Sequence, residues 1–324
     1  MSDERGDLRQ GYDVAIVGGG PAGLSAGLGS ARYLHRTVVI DSGDPRNWET
    51  RGINGFLGLP KITPAELRGR GRDECLAHGA TLVDATVLAI AKQVGETFVL
   101  SLSTGRRLEA RRLLLAYGLR DVWPDIPGLT HVYGTNAHVC PDCDGYEARG
   151  KKVVVIGTGR RAAGMALDLA TWTDKIIVAT NGQPPELDDE YCGKLDALNI
   201  PVLTERIRCV RYAGTVINSL ELENTMLLDA DKIFFSLAQY PSDDLGALLQ
   251  CDRDEGGHII VDEHLRTSVE NVYAAGDLIP GAQLAIAAAS DGAIAAIAMH
   301  KSLVPMTRRL EPLLADDEPL NASP

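Results

Sequence analysis

The stretch Tyr12-Asp-Val-Ala-Ile-Val17, running into Gly18-Gly-Gly-Pro-Ala-Gly23, reads as a buried strand, a glycine turn and the start of a helix. Glycines at 18, 20 and 23 follow the GxGxxG spacing. The first permits the tight turn, the second lets a pyrophosphate approach the backbone, and the third allows close helix–strand packing. Free N–H groups and the dipole at the helix start favour negative charge there. The next strand, Thr37-Val-Val-Ile40, ends in Asp41, an acid placed to hold ribose hydroxyls. Strand, loop, helix, strand and acid in that order specify a dinucleotide-binding α/β unit. A glycine turn without a ligand accounts for less of the pattern.

The pattern returns further along. Lys151-Lys-Val-Val-Val-Ile156 leads into Gly157-Thr-Gly-Arg-Arg-Ala162 and an Ala/Leu-rich helix to about Thr171. Two such units in one chain predict two nucleotide-fold domains. The second is the poorer match. Its following strand, Lys175–Ala179, ends in Thr180-Asn-Gly182, with neither an acid for a ribose 2′-hydroxyl nor an arginine cluster for a 2′-phosphate. Elsewhere the pattern predicts loop and helix over 42–80, β-rich structure over 81–116, and a crossover at Trp123–Gly128. A helix is expected at Leu187–Leu198, with strands at 201–203, Lys232–Ala238, Ile259–Val261 and before Asp277. A long Ala-rich helix covers Ala285–Leu303, and the tail from Val304 reads as flexible.

Between the two glycine loops lies His138-Val-Cys-Pro-Asp-Cys-Asp-Gly145. Cysteines two residues apart can close a disulfide in a tight turn, and beside nucleotide units they read as a redox centre. Half a zinc site is the rival, with His138 as third ligand, but no fourth ligand is at hand and no metal site is expected. Asp144 follows the second cysteine directly, and an Asp before Gly145 can serve as a turn residue bonding its own backbone. Cys75, Cys192, Cys209 and Cys251 are scattered and read as buried thiols.

The whole chain limits the partners. With 324 residues it has room for two domains of ordinary size. A net charge of −12 argues against nucleic acid or an anionic membrane as the main partner. Arg68, Arg70 and Arg72, and again Arg106, Arg107, Arg111 and Arg112, form local basic runs, which usually are solvated faces. The charged start of the chain lacks the apolar core of a signal peptide, and no run matches a membrane span, so a cytoplasmic protein is expected.

With Cys140-Pro-Asp-Cys143-Asp-Gly, the two glycine loops and Ala274-Ala-Gly-Asp277 in this order, the chain resembles the low-molecular-weight thioredoxin reductases. The resemblance implies an α/β fold of two Rossmann-like (three-layer ββα) domains, the second inserted in the first. Residues 1–117 and 242–324 would bind FAD, and 118–241 would form an NADPH-domain-like unit carrying the CxxC. Gly18, Gly20, Pro21, Ala22, Gly23 and Asp41 match the family's pyrophosphate and adenosine site. Asp277, which could instead cap the following helix, matches the acid on the flavin ribityl or phosphate. Gly118, Gly276, Leu284 and Ala285 complete the implied contacts. Asn54 could bond a flavin edge or merely cap a turn. The resemblance also implies Cys143 nearer the flavin, Cys140 attacking a thioredoxin-like substrate, Asp144 moving the proton, and a homodimer.

Three departures bear on the electron donor. Ala179-Thr-Asn-Gly-Gln-Pro-Pro stands where the family carries arginines for the NADPH 2′-phosphate. Ala238 replaces a glycine, and Arg160 and Arg161 crowd the second turn. Losing phosphate-pairing arginines removes charge-assisted hydrogen bonds of ~1.5–3 kcal/mol each. The chain is therefore expected to resemble most the deeply rooted branch lacking NADPH motifs, with a ferredoxin or another non-NADPH donor. Competing expectations are a small-molecule dithiol oxidase using oxygen and a flavin redox sensor.

Overall fold

Strand β1 (Gly11–Val17) carries the pattern that starts the fold, its last four residues fully apolar and buried. In the computed structural model, which describes residues 11–47, 50–93 and 97–308, it lies at the centre of a seven-stranded sheet. Helix α1 (Pro21–Arg32) follows the glycine turn, and β2 (Thr37–Asp41) returns parallel to β1. Helix α2 (Pro64–Ala77), with Thr63 accepting the Glu66 N–H at its start, leads to β3 (Thr81–Asp84) beside β2. Capping of that kind satisfies one of the first-turn donors.

An antiparallel meander comes next: β4 (Val87–Lys92), β5 (Phe98–Leu102) and β6 (Arg107–Leu115). β6 joins the meander to the parallel strands. Its first half pairs with β5, where alternate residues are buried, and from Glu109 it runs parallel to β1 as far as Leu113, Leu114 and Leu115, all fully buried. That switch from alternating to continuous burial is what a strand with one covered face, then two, requires.

The chain then leaves through β7 (Leu119–Asp121) and the short helix α3 (Leu129–Val132). β8 (Ala137–His138) and the one-turn helix α4 (Pro141–Asp144) carry the cysteine segment. β9 (Val153–Ile156), α5 (Gly159–Leu169), β10 (Ile176–Ala179), α6 (Asp189–Ala197) and β11 (Val202–Leu203) repeat the opening scheme. β12 (Ile207–Ala213), β13 (Val216–Leu222) and β14 (Leu227–Asp229) form a second meander, and β15 (Lys232–Phe235) enters the parallel sheet of order β11-β10-β9-β15-β8. One face of this sheet packs on α5 and α6 and the other on the meander, each with its own apolar cluster. β16 (Gln239–Pro241) pairs antiparallel with β7, so outgoing and returning chains cross side by side.

After the short helix α7 (Leu245–Leu248), β17 (Val272–Ala274) completes the first sheet against β6. Helix α8 (Ala285–Leu303) packs on α1, where Gly292 lets it approach the Ala22 backbone too closely for any Cβ. The fold is α/β, with two Rossmann-like units and the second inserted in the first.

The structure departs from the sequence reading in several places. The second meander was not foreseen. The strand from Lys232 stops at Phe235. Ile259–Val261 forms no strand; Ile259 makes only an isolated bridge to Arg253 and donates its N–H to the Leu278 carbonyl. The flexible-tail expectation falls mostly outside the described residues, and Met306–Arg308 forms one 3₁₀ turn. No helix among the described residues is long and apolar enough to cross a membrane.

Candidate active site

The end of β1 turns at Gly18, whose φ of 110° suits glycine, and a side chain there would collide with the Ala116 carbonyl. Gly23 sits so close to the Gly18 carbonyl that helix and turn could not pack with a Cβ between them. Beyond this turn opens a cavity of about 750 Å³, within the range of sites that enclose a cofactor. Gly18, Gly20, Pro21, Ala22, Asp41, Asn54, Gly118, Gly276, Asp277, Leu284 and Ala285 all line it; Gly23 lies behind the wall. A Cβ at Gly20 or Gly118 would meet no protein atom within 4 Å, so both leave bare backbone facing open space.

Cys140, Cys143 and Asp144 line the same cavity from the second unit, and the two cysteines are joined in a disulfide. Pro141 opens the α4 turn, and the Cys143 N–H donates to Cys140 Sγ at 3.1 Å. Gly145 packs against the Trp172 ring, leaving no room for a side chain. Asp144 therefore follows Cys143 at a turn fixed from outside, and its carboxylate is not spent on its own backbone. Oδ1 accepts from Asn54 Nδ2 at 3.1 Å, and Oδ2 lies 3.2 Å from His138 Nδ1. Asn54 thus bridges from the first unit to the acid, a contact that the sequence reading did not include.

His138 is buried, on β8 opposite Phe234 of β15. Its Nε2 lies 3.0 Å from Lys232 Nζ, which also donates to the Thr135 carbonyl at 2.6 Å. Both ring nitrogens are engaged, so His138 is not arranged as a third zinc ligand, and no cluster of three metal-ligating side chains occurs among the described residues.

At the other end, Asp41 binds the Arg68 guanidinium, with Arg72 at 3.7 Å; Arg68 Nε also reaches the Gly19 carbonyl at 3.3 Å. The basic run on α2 is therefore not one solvated patch. Arg68 and Arg72, four apart, face the acid, while Arg70 turns outward to Glu66. The run near 106–112 also divides: Arg112 is buried on Ser302, and the other three are exposed. Asp277 does not cap the following helix, whose N-cap is Leu284; its Oδ2 accepts from Arg46 Nη1 at 3.0 Å.

Arg46 is the residue that sequence reading passed over. It donates twice to Asp121 of β7, at 2.6 Å each, and to Gln283 at 2.8 Å, while Gln239 of β16 bonds both Asp121 and Gln283. Burial works against its charge, but Asp121 and Asp277 outweigh that and raise its pKa. This network ties the loop after β2 to the strand pair that joins the two units. Nothing local in Pro45-Arg46-Asn47 signals it, because every partner is distant in sequence.

The second glycine loop is built differently. The Gly159 N–H at the start of α5 donates to the Pro185 carbonyl at 2.8 Å, so the segment after β10 folds back over the turn. Arg160 leans on Tyr191 of α6, and Arg161 reaches the Leu237 carbonyl at 3.4 Å. Asn181, at φ 53°, accepts the Ile207 N–H.

A profile of the pyridine nucleotide-disulphide oxidoreductases matches residues 12–292. The chain is 30% identical to a thioredoxin reductase of Treponema pallidum (strain Nichols) over 296 residues, which is 88% of this chain and 95% of that protein. A thioredoxin reductase of Helicobacter pylori (strain J99) is 28% identical over 308 residues, 89% of this chain and 97% of the other. Among solved structures, HlmI superposes with a TM-score of 0.86 at 32% identity, covering 91% of this chain and 93% of that one.

Proposed function

The chain belongs to the pyridine nucleotide-disulphide oxidoreductase family, and from that premise we propose that electrons leave its FAD through Cys140 and Cys143 for a thioredoxin-like protein and do not enter from NADPH. The general activity is that of a thioredoxin reductase-type thiol–disulfide oxidoreductase. One observation carries the specific reading: the disulfide and Asp144 line the same cavity as the first glycine loop.

The cavity fits FAD. Bare backbone at Gly20 and Gly118 leaves the space a cofactor needs, and Gly18, Pro21 and Ala22 would face its pyrophosphate. Asp41 would hold the adenosine ribose, and Gly276, Asp277, Leu284 and Ala285 the remainder. Residues 118–241 would form the unit inserted into the FAD-binding domain. Bound FAD supplies a two-electron carrier. In the reduced protein the Cys140 thiolate attacks one sulfur of the substrate disulfide, and the other sulfur leaves with the electron pair. Cys143 then attacks Cys140, re-forming the disulfide and releasing the second substrate thiolate. Asp144, next to Cys143, supplies the proton for a leaving thiolate.

The donor reading is supported by the Pro185 carbonyl on Gly159. A pyrophosphate would need that N–H free, and the arginines beside it are engaged by Tyr191 and Leu237. These contacts favour kinship with the branch lacking NADPH motifs, with a ferredoxin-like or other donor. Cytoplasmic location and a homodimer complete the reading. Mixing NADPH anaerobically with the oxidised holoprotein is the test. The flavin absorbance should persist, whereas rapid bleaching at micromolar NADPH would sink the donor assignment. Electron delivery from a chemical reductant should then convert oxidised thioredoxin to its dithiol.

A further inference from the structure

Asp144 is the front of a buried polar chain that thiol–disulfide exchange by itself does not require. We infer that His138 and Lys232 form a proton relay behind Asp144, supplying through its carboxylate the proton taken up when the Cys140–Cys143 disulfide opens. The inference rests on the reading of those cysteines as the redox dithiol, but not on any donor or protein substrate.

The geometry fixes the direction of the hydrogen bonds. Lys232 Nζ has only donors to offer, so the contact with His138 Nε2 at 3.0 Å makes that nitrogen the acceptor. A neutral imidazole accepting at Nε2 carries its proton on Nδ1, which then donates to Asp144 Oδ2 across 3.2 Å. The line Lys232–His138–Asp144 is continuous, and both inner members are buried. Strand pairing builds it: β8 and β15 lie parallel, with Ala137 opposite Ile233 and His138 opposite Phe234, which brings Lys232 beside the imidazole. The apolar sheet offers few reasons to bury a lysine. Its charge faces Asp144 and Glu147, which favour it, and Lys151, which does not; the Thr135 carbonyl takes one N–H. Burial outweighs these and lowers its pKa, making its proton easier to release.

The step balances without another reagent. An incoming thiolate attacks one sulfur, the Cys140–Cys143 bond breaks, and the leaving sulfur keeps the electron pair. A proton passes from Lys232 to His138 Nε2, from His138 Nδ1 to Asp144, and from Asp144 to that sulfur. Asp144 ends as it began; His138 ends with its proton on Nε2, facing the neutral Lys232 amine, and the reverse transfer restores both when the disulfide re-forms and releases its proton.

The test opens the disulfide in the flavin-loaded protein with dithiothreitol, without oxygen, and counts free thiols by rapid alkylation between pH 6 and 9. Lys232→Met and His138→Phe should each slow opening about a hundredfold at pH 7, the lower end of general acid effects, and flatten the parental pH profile. Lys232→Arg is the discriminating variant. Its guanidinium keeps the charge and the donors but holds its proton, so it should be as slow as Lys232→Met. Opening by Lys232→Arg at the parental rate overturns the relay, and so does parental behaviour of Lys232→Met. Should these variants lose flavin, the ¹⁵N shifts of His138 in the parent decide: a proton on Nδ1 supports the relay, and one on Nε2 removes it. A disulfide that opens normally while thioredoxin is not reduced would instead count against the proposed function.

Discussion

The two glycine loops begin from the same local plan and end with different capacities. Each follows a buried parallel strand and opens a helix that packs on the sheet. Around Gly18 the following strand ends in Asp41, the acid is held by Arg68, and the turn looks into open space. Around Gly157 the following strand stops at Ala179, and the segment after it lays its Pro185 carbonyl on the Gly159 N–H. Strand, turn and helix make a scaffold for an anion. The segment after the second strand of each unit decides whether the scaffold is left open or filled by its own chain.

The sharpest way to break this comparison is a methyl group in each loop. Gly20 has φ −77° and ψ −175°, ordinary for any residue, so Gly20→Ala should fold and yet lose its flavin, with disulfide reduction falling below detection. Flavin absorbance of the purified variant reads this directly, and a normal flavin content would mean the first loop is not the pyrophosphate site. Next in size is the tie between the regions. Arg46→Ala removes four hydrogen bonds to side chains of β7, Asp277 and Gln283, and should cost about 2–3 kcal/mol in urea unfolding while loosening flavin binding. Unchanged flavin affinity would show that the two units hold together without it.

In the second loop the same kind of methyl should do less. Gly159 has φ 61°, so Gly159→Ala imposes left-handed strain of about 1 kcal/mol, but its flavin content and activity should match the parent. A loss of activity beyond the loss of stability would reopen the second loop as a ligand site. The smallest effect belongs to Asp291 of α8, which accepts the Gly276 N–H beside the first cavity. Burial, with help from Asp277, raises its pKa despite that hydrogen bond. The folded state therefore holds this proton more tightly than the unfolded one. The group's contribution is favourable below the ordinary carboxylate range and is lost as pH rises through the raised value. Asp291→Asn should consequently gain stability on the parent as pH rises, and urea midpoints at pH 4 and pH 7 will show whether it does.

Much of the architecture was legible because it rests on short-range pattern. Val14–Val17 and Val153–Ile156 are continuous apolar runs before glycines, and the parallel sheets grow from them. The second meander was missed because its strands alternate imperfectly: Ser219 and Glu221 of β13 are buried among apolar neighbours, the acid being met by Arg208 and Arg211. At the site, the cysteines, the glycines and Asp41 announce themselves by spacing. Arg46 and the ends of the Asn54–Asp144–His138–Lys232 line do not, since Asn54 and Lys232 each lie some ninety residues from the partner they meet. Arg68 stands between these cases. Its spacing from Arg72 was visible, but the acid it faces was not.

The parallel pairing of β17 with β6 has a consequence for synthesis. Leu113, Leu114 and Leu115 emerge from the ribosome early, yet the strand beside them and the helix that covers α1 are encoded after the whole inserted unit. At ordinary elongation rates that delay is on the order of ten seconds. For that time the first sheet carries an uncovered apolar edge while the inserted unit, whose strands all lie between its two crossings, can complete itself. The nascent chain should therefore complete its cysteine-bearing half first, and the half built around β1 should close last.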